Sequence, residues 1–96
     1  MKPAYDLGKI KLGVDEKTWE RAVRIYKSGK VTEFEESPAG FTARVVGSEP
    51  YDVAVSENHF GQGDCNCFLG HQGKLCKHMV ALAIYAIKRG KPLNKN

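Results

Sequence analysis

Apolar positions near the start of the chain predict a short amphipathic helix. After residue 14 they recur at intervals of three and four, which places them on one face of a helix. Asp15 is a residue type that commonly caps a helix N-terminus, and Gly29 stands where such a helix would end. The apolar members of the face are Trp19, Ala22, Val23 and Tyr26.

Beyond Gly29 the hydrophobic period falls to two, which is typical of strands with one buried face. Turn sequences at residues 37–40 (SPAG) and 47–50 (GSEP) divide this region into three segments. We therefore expect an antiparallel β-meander of three strands. Their alternating residues are Val31, Thr32 and Phe34, then Phe41, Ala43 and Val45, then Tyr51, Val53 and Val55.

Residues 77–88 are almost wholly apolar apart from their ends, and their length favours a helix over a strand. Gly90 and Pro92 then stop the helix. A helix that is apolar on all sides is normally buried on several of them. Three strands and one short helix would leave part of this surface uncovered, and exposed apolar surface of that kind would indicate a protein contact.

The remaining segments complete a single α+β domain. Residues 1–13 contain three lysines, two glycines and a proline among scattered apolar residues, so we expect an extended, poorly ordered N-terminal leader. The domain then spans residues 14–90, with helix, β-meander, a short cysteine-containing knuckle and C-terminal helix in that order, and residues 91–96 form a flexible basic tail. A chain of 96 residues with 42% hydrophobic and 27% charged residues has the size and composition of one globular domain.

Neither a membrane span nor a signal peptide is expected. The longest apolar run, residues 79–87, is far shorter than the roughly 20 residues that cross a bilayer. The first residues lack the apolar region and cleavage site of a secretory signal. We therefore expect an intracellular, cytoplasmic protein, and hence a reducing environment for its thiols.

The three cysteines favour a metal site over a disulfide, because they are odd in number and clustered. Together with one histidine they form the pattern C-x-C-x8-C-x-H, which suits one tetrahedral zinc ion held by Cys65, Cys67, Cys76 and His78. Residues two apart on an extended segment point to the same side, so Cys65 and Cys67 can act together. In a helix they would diverge, so Cys76 should precede the last helix and His78 lie in its first turn.

Other polar residues near the pattern leave alternatives open. His71 could replace His78 as the fourth ligand, whereas His59 is expected in a surface turn. Asp64 could accept the ring N–H of His78, or it could be a solvated carboxylate. Because four protein ligands leave no open position on the metal, the zinc is predicted to be structural, and no enzymatic activity or small-molecule substrate is expected.

The quartet Cys65, Cys67, Cys76 and His78, preceded by a short helix and strands, resembles the SWIM zinc finger family. The segments that carry the resemblance are RAVRIYKSGKV, GSEPYDVAV and CKHMVALAIYA, within roughly Trp19 to Arg89. In that family a small β-sheet is followed by a zinc loop and a helix, and the modules occur in chromatin remodellers, transposases and microbial proteins. The resemblance implies binding of DNA or of other proteins.

Charge leaves the class of partner open. The excess of 15 basic over 11 acidic residues is modest. The two candidate partners are nucleic acid, in which case DNA is the first choice, and an intracellular protein or larger complex. If nucleic acid binds, the basic residues beside the zinc loop and at the end of the last helix are the expected contacts. Those of the first helix could belong to the same phosphate-binding face, or the basic residues could equally form a solvated surface. These residues are Lys74, Lys77, Lys88, Arg89 and Lys91, then Lys17, Arg21, Arg24 and Lys27.

Overall fold

A computed structural model describes residues 3–47, 49–66 and 75–93. Within these ranges it contains three helices and one antiparallel sheet with strand order β1-β2-β3-β4, which confirms the predicted α+β class and antiparallel meander. The sheet has four strands instead of the three expected, because the short β4 pairs with β3. The helices are α1 (Leu7–Gly13), α2 (Glu16–Lys27) and α3 (Lys77–Lys88). The strands are β1 (Val31–Ser37), β2 (Gly40–Val46), β3 (Pro50–Ser56) and β4 (Gly63–Cys65).

Helix α2 begins and ends where its capping residues predict. The Asp15 carboxylate accepts a hydrogen bond from the backbone N–H of Thr18 at 3.3 Å. Hydrogen bonding from the Thr18 side chain, and to a smaller extent from this N–H, lowers the pKa of Asp15. After the C-cap residue Ser28, Gly29 adopts a φ of 71°, a left-handed conformation that glycine reaches without steric cost. The predicted inner face is correct, because Ala22 and Tyr26 are buried.

The first strand contains a β-bulge that the simple alternation does not predict. Thr32 pairs with Arg44 and Glu35 with Thr42, so two residues of β1 lie opposite one residue of β2. Glu33 takes a left-handed φ of 53° at this point. The extra residue resets the register, and Phe34 turns to the inner face, where it stacks on Phe41 at a centroid distance of 5.8 Å.

The prediction of an extended leader was wrong for residues 7–13, which form helix α1. Asp6 caps the helix by accepting from the backbone N–H of Lys9 at 2.8 Å, and Ile10 is completely buried. The preceding residues are also attached, because the Ala4 N–H donates to the Glu57 carbonyl at 2.7 Å and the Tyr5 hydroxyl donates to the Ser56 carbonyl at 2.9 Å. In the predicted C-terminal tail, residues 94–96 lie outside the described residues.

Helix α3 occupies the middle of the molecule. It packs on the sheet with one side and against α1 and α2 with the other. Its residues from His78 to Ile84 are therefore buried, and the exposed apolar surface expected beside it is not found among the described residues. The expectation was wrong because it omitted α1, which supplies part of the cover. No helix in the described part of the chain combines the length and apolar character needed to cross a membrane.

Candidate metal centre

Strand β4 brings the first cysteine onto the inner face of the sheet. Val53 of β3 pairs with Cys65, and both side chains are buried. The neighbouring Asp64 pairs with Ala54 and is exposed, as expected from the alternation of side chains along a strand. The metal-binding face of β4 is thus the face that meets α3.

The start of α3 brings the other two ligand candidates to the same place. Cys76 is the N-cap residue, with φ −112° and ψ 166°, and His78 lies in the first helical turn, as the C-x-H spacing predicts. Because the N-cap residue is extended and the next residues are helical, the two side chains need not diverge as they would inside a regular helix. Cys76 is 1% exposed and His78 is 7% exposed.

Three ligand atoms converge at this point. One atom each from Cys65, Cys76 and His78 lies within 4.8 Å of the others, and the distance from Cys65 Sγ to His78 Nδ1 is 3.8 Å. Zinc bonds of about 2.3 Å to sulfur and about 2.0 to 2.1 Å to nitrogen, at a tetrahedral angle, would separate these two atoms by about 3.6 Å. The side chains therefore have the chemistry and nearly the spacing of a tetrahedral zinc site.

Local electrostatics favour the protonation states that bind metal. Burial, with a smaller contribution from the charge of Lys77, holds the pKa of His78 below its usual range, so the ring is neutral and can donate a lone pair to a metal. The N–H groups in the first turn of α3 form the positive end of the helix dipole, which would stabilise the negative charge of a metal-bound sulfur at Cys76.

Two residues close to the ligands, Tyr51 and Asn66, were not among the site residues predicted from the sequence. The ring of Tyr51 stacks on the imidazole of His78, with 4.5 Å between the centroids and 30° between the planes. Directly after Cys65, Asn66 accepts from the Asp52 N–H at 3.0 Å through its side chain and donates its own N–H to the Asp52 carbonyl at 3.3 Å. The alternation of Tyr51 with Val53 and Val55 could have placed Tyr51 on the metal side of the sheet, whereas Asn66 had no such signal.

Several sequence candidates lie elsewhere. Cys67, His71 and Lys74 are outside the described residues. Asp64 is on the outer face of the sheet, pointing away from His78, which favours the solvated carboxylate over the contact with the ring. His59 is exposed in a turn, where its Nδ1 accepts from the Gly61 N–H at 2.9 Å and its ring stacks on Phe60.

Those candidate nucleic-acid contacts that the structure describes do not form one patch around the metal site. Lys77 and Lys88 stand at opposite ends of α3, about 16 Å apart along its axis. The guanidinium of Arg89 contacts Glu36 at 3.0 Å, donates to the Ala86 carbonyl at 2.8 Å and lies 5.0 Å from the Phe34 ring centroid. The hydrogen bond from Arg89 lowers the pKa of Glu36. Arg89 therefore joins the end of α3 to the sheet.

A small α+β domain with a buried Cys/His cluster between a strand and a helix N-terminus has the architecture of a structural metal-binding module. The family model described as SWIM zinc finger matches residues 51–87, which confirms the resemblance seen in the sequence over a shorter span. The match runs from the second residue of β3 through β4 to the last but one residue of α3, and therefore includes the whole cluster. No curated protein and no solved structure matches the chain. The family and the cluster fit one structural zinc ion.

Proposed function

We propose that this chain is a binding module built around one structural zinc ion, that it binds nucleic acid, with DNA as the first target, and that it has no catalytic activity. Cys65, Cys67, Cys76 and His78 would be the four ligands. The convergence of three of these side chains supports this set, and Cys67 is two residues from Cys65 on the chain that leaves β4. A metal with four protein ligands has no open position for a substrate.

The ligand set can be tested with variants measured for zinc content by native mass spectrometry. Cys76→Ser and His78→Ala should lose the bound zinc, because each removes a donor from the tetrahedron. His59→Ala is the matched control, since this exposed histidine lies outside the cluster and its loss should leave one zinc per chain. Full zinc retention by His78→Ala would place the fourth ligand elsewhere, with His71 as the next candidate.

The separation of charge between the two outer faces is the observation that carries the nucleic-acid proposal. The outer face of the sheet has four carboxylates around a single guanidinium, and that guanidinium contacts Asp52 at 3.2 Å and Glu33 at 3.9 Å. The opposite face is formed by α1 and α2, which with their N-cap residues Asp6 and Asp15 carry six basic and four acidic residues. The acidic residues of the sheet are Glu33, Glu35, Asp52 and Asp64, and the basic one is Arg44.

Helix α2 presents its basic residues in a line. Lys17, Arg21 and Arg24 are spaced at i, i+4 and i+7, on the side opposite the buried Ala22 and Tyr26, and all three are exposed. This stripe is about 10 Å long. Three cations at this spacing can contact successive phosphates of one strand, while the acidic sheet face would repel a nucleic acid that approached from the other side.

The C-terminal end of α2 extends this surface toward α3. The Tyr26 hydroxyl donates to the Lys91 carbonyl, and its ring packs edge-on against Tyr85 at a centroid distance of 6.0 Å. Lys27, Lys88 and Lys91 are therefore brought to one end of the helical layer. We retain Lys88 and Lys91 from the sequence candidates and leave out Arg89, whose guanidinium is engaged in the fold. Lys77 is at the other end of α3 and so is not part of this surface, and Lys74 lies outside the described residues.

Fluorescence anisotropy with short duplex DNA at low salt tests the proposal. Binding should be weak and independent of sequence, and the affinity should fall log-linearly with salt with a slope of about −3 to −5, because only a few phosphates are neutralised. Arg21→Glu and Arg24→Glu should each weaken binding several-fold and make the slope shallower by about one.

Arg44→Glu is the matched control, because it makes the same change in net charge on the opposite face. It should leave binding nearly unchanged. Equal weakening by Arg44→Glu and Arg21→Glu would show that only net charge matters and would overturn the proposed surface. No binding of DNA or RNA at micromolar protein would favour the protein-interaction alternative instead.

A further inference from the structure

We infer that Tyr51 is a positioning residue of the zinc site, which fixes the orientation of the His78 ring without binding the metal. The inference rests on the proposed role of His78 as a ligand and adds a residue that the Cys/His pattern does not contain. It would give this module a ligand whose ring is held by an aromatic side chain from the neighbouring strand.

The location of Tyr51 is set by the register of the sheet. Tyr51 and Val53 are two apart on β3 and so face the same side, and Val53 pairs directly with Cys65 of β4. Tyr51 is therefore a diagonal neighbour of Cys65 on the inner face, at the separation that aromatic side chains can bridge. His78 enters the same space from the first turn of α3 and has Cys65 and Tyr51 as neighbours.

The stacking constrains the rotation that matters for metal binding. The terminal torsion of histidine is broad, so the imidazole plane needs a neighbour to fix it. In the structure the plane lies against Tyr51, and in that orientation Nδ1 faces Cys65 Sγ at 3.8 Å. Ligand histidines are usually held by a hydrogen bond to their other ring nitrogen. Here a ring face performs that orienting function.

Replacing Tyr51 should therefore weaken metal binding without removing a ligand. Cobalt(II) is the probe, because its visible absorption reports the coordination geometry and zinc competition then gives the zinc affinity. We expect Tyr51→Leu to weaken metal binding about 10-fold or more and to change the visible band, since partners that orient a ligand typically contribute about 10-fold to 100-fold. Tyr51→Phe keeps the stacked ring and should restore both readouts.

Tyr85→Leu is the matched control. Tyr85 is also a partly buried tyrosine, but its ring contacts Phe34 and Tyr26 at the other end of α3. It measures how far a general loss of stability lowers the apparent metal affinity, and it should leave the shape of the cobalt band unchanged. If Tyr51→Leu behaves like Tyr85→Leu, or like the unchanged protein, the inference is wrong.

Two further measurements distinguish a failure of the Tyr51 inference from a failure of the proposed ligand role of His78. Should His78→Ala leave the cobalt band unchanged, the proposed ligand role itself fails. A changed band in His78→Ala with an unchanged band in Tyr51→Leu would overturn only the role of Tyr51. If Tyr51→Leu does not fold, the ring-proton resonances of His78 in the zinc-loaded protein decide, because stacking on Tyr51 should shift them upfield and their normal position would contradict the inference.

Discussion

Burial of the Tyr5 side chain raises its pKa to about 12, well above the ordinary value of 10.0. The residue lies beside Phe60 and donates its hydroxyl to the Ser56 carbonyl, so ionisation would leave a charge in an apolar contact and remove the donor. A single side chain thus ties the N-terminal segment to the end of β3 and makes this attachment sensitive to alkaline pH.

The pH dependence of this contact has a definite sign. As pH rises past about 10, the unfolded chain loses the Tyr5 proton before the folded chain does, so the free energy of unfolding should decrease between about pH 10 and 12. Tyr5→Phe should cost about 0.5 to 1.5 kcal/mol at neutral pH through the lost hydrogen bond, but its stability should decrease less on the alkaline side. Urea unfolding of both proteins at about pH 8 and about pH 11 measures this difference, and parallel losses would contradict it.

At the scale of elements, α1 is a part of the domain rather than a leader. Ile10 is 0% exposed and Leu12, two residues later on the same helix, is 90% exposed. Ile10→Ala should therefore lower the free energy of unfolding by about 2 to 5 kcal/mol, because it leaves a cavity in the core. Leu12→Ala, the matched control, should change it by less than about 0.5 kcal/mol. Equal stability of the two variants in urea unfolding would mean that α1 does not pack as described.

The pairing of β3 with β4 connects the sheet to the metal site. Gly63 pairs with Val55, and a Cβ atom at Gly63 would collide with the Ala54 carbonyl oxygen and lie 2.8 Å from Val55 Cα. Gly63→Ala should force β4 away from β3, displace Cys65, cost about 1 to 3 kcal/mol of stability and weaken zinc binding. Thermal unfolding and zinc competition measure both effects.

Gly61→Ala is the control for this substitution. A Cβ atom there would meet only the ring of His59, at 3.0 Å, and moving that exposed ring would disturb only its surface contacts with the Gly61 N–H and Phe60. Zinc binding and stability should therefore remain near those of the unchanged protein. A Gly63→Ala protein with the same zinc affinity as Gly61→Ala would show that the position of Cys65 does not depend on this strand pairing.

The elements differ in how far the sequence predicts them, and the difference has physical causes. Helices α2 and α3 are predicted correctly because their caps and the spacing of their apolar residues are local signals, and each helix is 12 residues long. Helix α1 spans only seven residues, too few to display a helical period, and its stability comes from contacts with distant parts of the chain. Strand β4 has three residues and no alternation to detect, because its pairing with β3 defines it.

In the candidate site, too, the features that depend on neighbouring residues were predicted and those that depend on distant residues were not. The C-x-H spacing predicts that Cys76 precedes α3 and that His78 enters its first turn, because both statements depend only on neighbouring residues. The stacking of Tyr51 on His78 and the two hydrogen bonds between Asn66 and the Asp52 backbone depend on the register between strands. The order of residues in the sequence does not contain that register. The engagement of Arg89 with Glu36 joins residues 53 apart in the chain and could not be read from either segment alone.

On the scale of the whole molecule, three layers explain both the buried helix and the charge distribution. The sheet and the pair α1 and α2 enclose α3, so the apolar sequence of α3 is required by its central position. The two outer layers then carry opposite charge, acidic on the sheet and basic on the helices. The net charge of +4 does not reveal this separation of acidic and basic residues, because the separation depends on which layer each residue belongs to in the fold.

Structural zinc is the central claim, and stepwise removal and return of the metal tests it most directly. In amide NMR spectra of the zinc-loaded chain, a chelator should remove the dispersion of the resonances of residues 63–66 and 75–88. The reason is that the metal would join β4 to the start of α3. Structural zinc contributes about 10 to 16 kcal/mol to folding in finger peptides, so its loss should unfold this region. Added zinc should restore the spectrum and saturate at one equivalent. An unchanged spectrum in excess chelator, with the metal removed, would contradict the account.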